Sequence, residues 1–213
     1  LPVITAASVT KFIYTAFVRV RQIKAPVVCV AHGKIVGGGF AAMLNSDYRI
    51  LVDDDTTVLN YGNMPRGVCP GVMLSTNLPR MVGETNAFNA YLQDAFFSPP
   101  EAVAMGLVNE SQPSYEAAIA RALGLARQWA AAPRMGVTNT LKLMRPESSL
   151  LNDSRLDSEA LGIARCNVEG GAFGKGWREK TAGPQAVATG PPAPLPSPSA
   201  AGGDLAAAQR QIA

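Results

Sequence analysis

The chain has 213 residues, 47% hydrophobic and 16% charged, which is enough to bury a core and too apolar for a disordered chain; at about 150 residues per domain it holds one or two domains. Nineteen Lys and Arg against 16 Asp and Glu leave +3, a mild basic excess without the dense basic stripe of a nucleic-acid binder. The longest apolar run, Pro26 to Ala31, falls far short of the roughly 18 residues of a membrane span, and three scattered cysteines without a CxxC indicate neither a disulfide framework nor a zinc site, so the expectation is a reduced, cytoplasmic chain with no metal, membrane or nucleic-acid partner.

Val9, Phe12, Ile13, Ala16, Phe17, Val20 and Ile23 recur at the spacing of one helix face, predicting a helix over 9–23. Pro26 ends it, and Val27–Ala31, β-branched and apolar on both faces, reads as a buried strand. A glycine-rich loop over 33–39 leads to a short helix at 40–45, a strand at 48–52, an acidic turn at 53–55 and a short strand at 56–61. Beyond Pro70-Gly71 the pattern turns helical. Ser98-Pro99-Pro100-Glu101 is a capping box with Pro at the first helical position, and Gly106 stops that helix. An extended piece at 107–109 follows, then a long Ala-rich helix at 114–131 with Ala117, Ile119, Ala120, Leu123 and Ala126 inward, and helices near 136–144 and 148–168. Strands in front with helices behind make an α/β pattern.

The two ends have their own character. The first residue is Leu1 rather than Met, which reads as a piece of a longer chain. Residues 182–203 hold six Pro, four Gly and six Ala, the composition of an extended, semi-rigid linker. Residues 204–213 read as the start of a following segment, implying neighbouring domains.

Gly37-Gly38-Gly39, between strand and helix, is the most informative feature. Successive glycines let the backbone approach another group closely and aim N–H donors at it, although a merely permissive turn uses the same residues. A dinucleotide-binding reading (Gly37-x-Gly39-x-x-Ala42 with Asp53 as the ribose acid) fits poorly, because the helix that follows is too short to cross a sheet.

Lys24-Ala25-Pro26-Val27-Val28-Cys29-Val30-Ala31-His32-Gly33, then Gly37-Gly38-Gly39-Phe40-Ala41, then Ser46-Asp47-Tyr48-Arg49-Ile50 resembles the enoyl-CoA hydratase/isomerase family, the crotonases. Two later signatures agree in order and spacing: Gly67-Val68-Cys69-Pro70-Gly71 with Leu78–Gly83, and Ser98–Val108. The resemblance covers about 24–109 most specifically and implies a crotonase-like ββα spiral with C-terminal helices over residues 1–181, N-terminally truncated. It also implies an acyl thioester on coenzyme A or an acyl carrier protein as substrate, no cofactor beyond that carrier, and a homotrimer. In the family two main-chain N–H groups stabilise the enolate oxyanion of the thioester. Gly38 matches one donor, flanked by Gly37 and Gly39. The other belongs to an upstream Gly-Ala-Asp or Gly-Gly-Asp loop that does not occur before Gly37, so the chain as it stands is expected to be inactive.

A hydratase of this family uses two carboxylates to activate water. At the matching positions this chain has Ala41 and Asn63. Decarboxylation escapes the objection, because losing carbon dioxide generates the enolate without a base. Asn60–Gly71 is similar to the corresponding run of crotonase-like decarboxylases in polyketide β-branching cassettes. The expected chemistry is therefore enolate-forming decarboxylation, with Gly38 and Asn63 catalytic, and Gly37, Gly39, Ala41, Tyr61, Lys34 and Arg66 around the substrate. Lys34 and Arg66 suit a substrate carboxylate or phosphate, or simply solvent. Two alternatives stay open: a hydratase or isomerase whose acid comes from elsewhere, and a non-catalytic subunit kept for assembly. His32 reads as structural rather than a proton donor, Asp47 as structural, Cys29 as inert core, Trp129 and Trp177 as packing, and the basic run 175–180 as a contact for the coenzyme A nucleotide.

Overall fold

The computed structural model describes residues 2–145 and 150–169. The expected linker at 182–203, the segment at 204–213, the basic run at 175–180 and Trp177 lie outside the described residues. The first helix, α1, runs Val3–Val18 and continues as a 3₁₀ turn, Arg19–Gln22. It begins six residues before the expected start because Val3–Ser8 contains no Gly or Pro, so the helix propagates back to Pro2. By length and composition alone Val3–Gln22 is apolar enough to cross a membrane, with mean hydropathy 1.3. This corrects the expectation that no such stretch exists: Thr5, Ser8, Thr10 and Thr15 interrupt the run to the eye without lowering its average far.

Two consecutive strand–strand–helix turns follow. The first is β1 (Val28–Ala31), β2 (Lys34–Val36) and α2 (Gly38–Leu44); the second is β3 (Tyr48–Val52), β4 (Val58–Asn60) and α3 (Leu74–Val82). They stack strand on strand, with β1 parallel to β3 from Val28↔Tyr48 and β2 parallel to β4 from Lys34↔Val58. This is the expected crotonase-like spiral. Next come α4 (Glu84–Leu92), β5 (Phe96–Phe97), α5 (Pro99–Ala104) and β6 (Glu110–Gln112). β6 completes one sheet in the order β1-β3-β6, and β5 completes the other, β2-β4-β5, by antiparallel pairing with β4. The extended piece expected at 107–109 leads into β6 without pairing itself, because the N–H of Asn109 and its side-chain Oδ1 are spent on Arg49, holding that residue just outside the ladder. β1 is half-buried along its length rather than buried, since it forms the edge of its sheet.

The remaining helices are α6 (Tyr115–Ala130), α7 (Arg134–Met144) and α8 (Leu150–Val168). Ser98 and Glu101 make the expected capping box on α5, and Ser114 caps α6 through the Ala117 N–H at 3.1 Å. The buried face of α6 is not the expected one. Ala118, Ala122, Leu125 and Trp129 pack on Ile50 and Val52, while Leu123 is half exposed. Both stripes have helical spacing in an Ala-rich segment, so periodicity alone did not choose between them. The main core fills the space between the two sheets and α2–α5, around Phe40, Leu44, Leu51, Leu59 and Leu74. A smaller cluster, Val68 and Ile163 with Tyr14, Cys69 and Cys166, joins α1 and α8 to the segment after β4.

Arg145, just past α7, ties the front of the molecule together. Its Nε donates to Asp47 Oδ1 at 2.7 Å, its Nη2 also bonds Asp47, and its Nη1 donates to the Arg21 and Ile23 carbonyls. Asp47 also accepts the Val27 N–H at 2.7 Å, consistent with its expected structural role.

Candidate functional site

The parallel pairing of β2 with β4 places Val36 beside Asn60, so the residues leaving both strands emerge side by side at their carboxyl ends. That is where α/β folds commonly hold ligands. Gly37 leaves β2 with φ 56° and ψ −115°, a left-handed conformation that strains any residue with a Cβ. Its N–H donates to the Asn60 carbonyl at 3.3 Å and its carbonyl accepts the Ala41 N–H at 3.0 Å. A Cβ at Gly37 would stand 3.3 Å from the Asn63 side-chain amide and 3.6 Å from the Tyr61 carbonyl. Gly37, Tyr61 and Asn63, expected at one site, are thus brought together.

α2 starts inside the glycine triplet, two residues earlier than expected. Gly38 and Gly39 therefore occupy its first turn, where main-chain N–H groups have no acceptor within the helix. Both glycines are exposed, and a Cβ at either would meet nothing within 4 Å. Phe40 and Ala41, by contrast, are buried in the core. The two exposed glycines thus stand on a base buried in the core.

Tyr61 is buried at 3% exposure and its ring stands edge-on to Tyr91, 5.6 Å between centroids. Its hydroxyl meets the carbonyls of Val68, at 3.2 Å, and Cys69. Burial raises its pKa further above the ordinary tyrosine value, partly opposed by a hydrogen bond from Asn63. Its proton is engaged by the chain itself, and the residue pins the segment 62–69. The 3₁₀ turn Met64–Arg66 begins just after Asn63. Arg66 folds back to donate from Nη1 to the Gly62 carbonyl, and Lys34 stands exposed at the start of β2.

Two residues that sequence reasoning did not single out hold this arrangement. Asn60, 1% exposed, donates from Nδ2 to the Asp94 carbonyl at 2.9 Å and the Ala95 carbonyl at 3.0 Å. Asp94 Oδ1 accepts the Gly62 N–H at 2.9 Å, and Asp94 itself has φ 50°. A polar residue closing an apolar strand was the available signal for Asn60, because buried amides need partners. Asp94 carried none. His32 is exposed, with its ring 5.2 Å from that of Tyr115.

Elsewhere, a cavity of about 510 Å³ lies between the start of β3, α3 and α7, lined by Asp47, Arg49, Arg80, Trp129 and Arg145 among others. A groove of about 410 Å³ runs between β1 and α6. Neither is lined by Gly37–Gly39. Among the described residues no group of three His, Cys, Asp or Glu stands close enough to hold a metal ion.

The family model described as enoyl-CoA hydratase/isomerase matches residues 3–160. Similar curated proteins include the fatty acid oxidation complex alpha subunits of Shewanella putrefaciens, 35% identical over 100 residues, and Shewanella oneidensis, 34% identical over 100 residues. Each match covers 47% of this chain and 14% of the relative. Among solved structures, enoyl-CoA hydratase from Bacillus halodurans superposes with TM-score 0.65 at 21% identity, covering 71% of this chain and 59% of that one. An enoyl-CoA hydratase/isomerase from Pseudoalteromonas atlantica gives 0.66 at 20%, covering 71% and 60%. A Thermobifida fusca relative solved in complex with acetoacetyl-CoA gives 0.58 at 23%, covering 69% and 57%. The chain thus spans a small part of the curated relatives and about three fifths of the solved ones.

Proposed function

This chain belongs to the enoyl-CoA hydratase/isomerase family, and we propose that it acts on an acyl thioester of coenzyme A or an acyl carrier protein by stabilising an enolate formed through decarboxylation. The observation that carries this reading is the outward-facing bend at Gly38 and Gly39, with open space beside both α-carbons and the first-turn N–H groups of α2 left without a helical acceptor. A thioester carbonyl set against the Gly38 N–H gains most as negative charge builds on its oxygen, and a preorganised donor of this kind is worth roughly 3–4 kcal/mol of barrier.

Two further residues favour loss of carbon dioxide over water addition. Ala41 is apolar and buried, and the side chain that faces Gly37 from the segment after β4 is the neutral amide of Asn63. Neither can take a proton from water at neutral pH. Both leave the site without a negative charge that would repel a substrate carboxylate. In this reading Asn63, whose amide would lie 3.3 Å from a Cβ at Gly37, orients the acyl group, and Arg66, on the 3₁₀ turn that follows it, is the positive charge closest in sequence.

The relatives named for fatty acid oxidation and enoyl-CoA hydration favour a second reading, hydration or isomerisation of an enoyl thioester, with Asp94 as the carboxylate closest in the network to Gly62. One experiment separates the two. The chain, extended upstream by the second oxyanion loop that the family resemblance calls for, is incubated with 3-methylglutaconyl-CoA and, separately, with crotonyl-CoA, and products are read by mass. Loss of carbon dioxide from the first supports decarboxylation; gain of water by the second, without loss from the first, supports hydration instead.

A further inference from the structure

Cys69 and Cys166 lie 97 positions apart in the chain, and the smaller hydrophobic cluster places both against Val68 and Ile163. Cys69 sits in the segment after the 3₁₀ turn, and Cys166 lies in the last turn of α8. Gly162, one turn before Cys166 on the same face of α8, makes room for the meeting. A Cβ there would stand 3.0 Å from Cys69 Sγ. Helical side chains lean toward the N-terminus and cover the preceding turn. The Cys166 side chain therefore reaches over Gly162, into the space the Cys69 sulfur occupies. Both are free and half-buried, so a small oxidant reaches them. Cys29, on β1, belongs to a different cluster.

We infer that Cys69 and Cys166 are a redox-modification site that closes to an intramolecular disulfide, locking α8 onto the segment that carries Asn63. The oxidant is a low-molecular-weight disulfide such as oxidised glutathione. In the first exchange one cysteine thiolate attacks it, forming a mixed disulfide and releasing one glutathione thiol. In the second, the neighbouring cysteine attacks the protein sulfur of that mixed disulfide and releases the other. The two cysteine sulfurs lose two electrons and two protons, and the glutathione disulfide gains both. Tyr61 extends the consequence to the candidate site, since its hydroxyl holds the carbonyls of Val68 and Cys69. Burial and the neighbouring Cys166 push the Cys69 thiol up to about 12. Thiolate is then scarce at neutral pH, the bridge forms slowly, and equilibrium rather than rate is the proper readout.

The 213-residue chain is equilibrated in glutathione buffers of increasing oxidation, quenched in acid, unfolded and alkylated with a maleimide. Three thiols react in the reduced chain. The expected result in the oxidised chain is one remaining thiol, Cys29, with a Cys69–Cys166 peptide found by mass. Closing a loop of about 100 residues should raise Tm by roughly 10 °C, reversed by dithiothreitol. Cys166→Ser and Cys69→Ser should each show neither bridge nor rise. Three alkylated thiols at the most oxidising setting, glutathione adducts that never resolve, or a bridge to Cys29 would each overturn the assignment.

Discussion

Glu159 offers a quantitative test of how the segment behind the candidate site is held. The residue lies on α8 at 5% exposure, and its carboxylate reaches across to the start of α3. Oε2 accepts the Met73 N–H at 2.6 Å, and Oε1 accepts the Ser75 N–H at 3.0 Å and the Ser75 hydroxyl. Immediately before that helix, Val72 and Met73 have φ of 59° and 63°, conformations that cost about 1–3 kcal/mol each for side chains with a Cβ. A buried carboxylate at a helix N-terminus is thus set against local backbone strain. Glu159→Ala leaves two buried N–H groups without an ionic acceptor, a loss of about 1.5–3 kcal/mol each. The relaxing turn, and the removal of a charge that is costly to bury, return part of it. The net destabilisation is about 2–4 kcal/mol, which lowers Tm by roughly 5–15 °C in a chain of this size. Glu159→Gln keeps one acceptor oxygen and should lose about half as much. Thermal unfolding by circular dichroism gives the shift, and hydrogen exchange at Met73 and Ser75 should speed up well before the rest of α3. A Tm within about 1 °C of the parent chain, with unchanged exchange at those two amides, would refute the reasoning.

Other expectations follow from the same packing. Burial holds the Glu159 carboxyl above its ordinary 4.5, so the folded chain binds that proton more tightly than the unfolded one. Its contribution to stability therefore falls as pH rises from 4.5 through the folded value and then levels. Glu159→Gln should lack this component of the slope in a pH series of denaturant unfolding, and identical slopes would contradict it. Tyr14 shows the same sign at the alkaline end, where burial first and then Cys69 push its hydroxyl up to about 12. Stability should decline between the ordinary value of 10 and 12, less so in Tyr14→Phe. Gly71→Ala drives a methyl into the Tyr14 ring, 2.5 Å from Cε2, and should cost about 1–3 kcal/mol in urea unfolding; no change would mean that α1 does not press on this turn. Gly62→Ala combines φ of 68° with a collision against Val36 and Asn60. It should destabilise by a similar amount or more and loosen the pairing that sets Asn63 beside Gly37, visible as faster exchange of the Gly37 N–H.

Much of the order of elements from Val28 to Val108 was legible because several boundaries have local chemistry: Pro26 before β1, the glycine triplet before α2, Ser98 and Glu101 around the first turn of α5. The strand β2 was not, because Lys34–Val36 lies inside the stretch read as a glycine-rich loop. The proximity of Gly37 and Asn63 was legible only through the family motifs, since no periodicity reveals that β2 and β4 pair in parallel. Three features left little local trace. The short strand β5 exists because β4 offers it a ladder, not because Phe96-Phe97 insists on one. Which stripe of α6 is buried depends on the sheet beneath it, and the Ala-rich segment offers two. Asp94 and Glu159 act across 32 and 86 residues of chain, respectively, on Gly62 and Met73, a separation at which a lone carboxylate looks like any solvated surface charge. The anchoring contact of Tyr61 had no trace in the sequence either. Its hydroxyl finds carbonyls seven and eight residues on, and only the fold of the turn between them brings those within reach.

The reading of the site depends most on the Gly38 main-chain N–H, and proline can remove that one atom. Gly38 is the first residue of α2, a position that tolerates proline because its N–H bonds nothing within the helix. Open space surrounds a side chain there. Gly38→Ala keeps the donor and fills the same space, so it serves as the matched control. With turnover on 3-methylglutaconyl-CoA measured in the chain extended upstream by the Gly-Ala-Asp or Gly-Gly-Asp loop that the family resemblance calls for, Gly38→Pro should lower kcat about 100- to 1,000-fold with Tm held close to that of the parent, while Gly38→Ala stays within about threefold. Equal kcat in the proline and alanine variants, both folded, would show that this amide does not meet the developing negative charge.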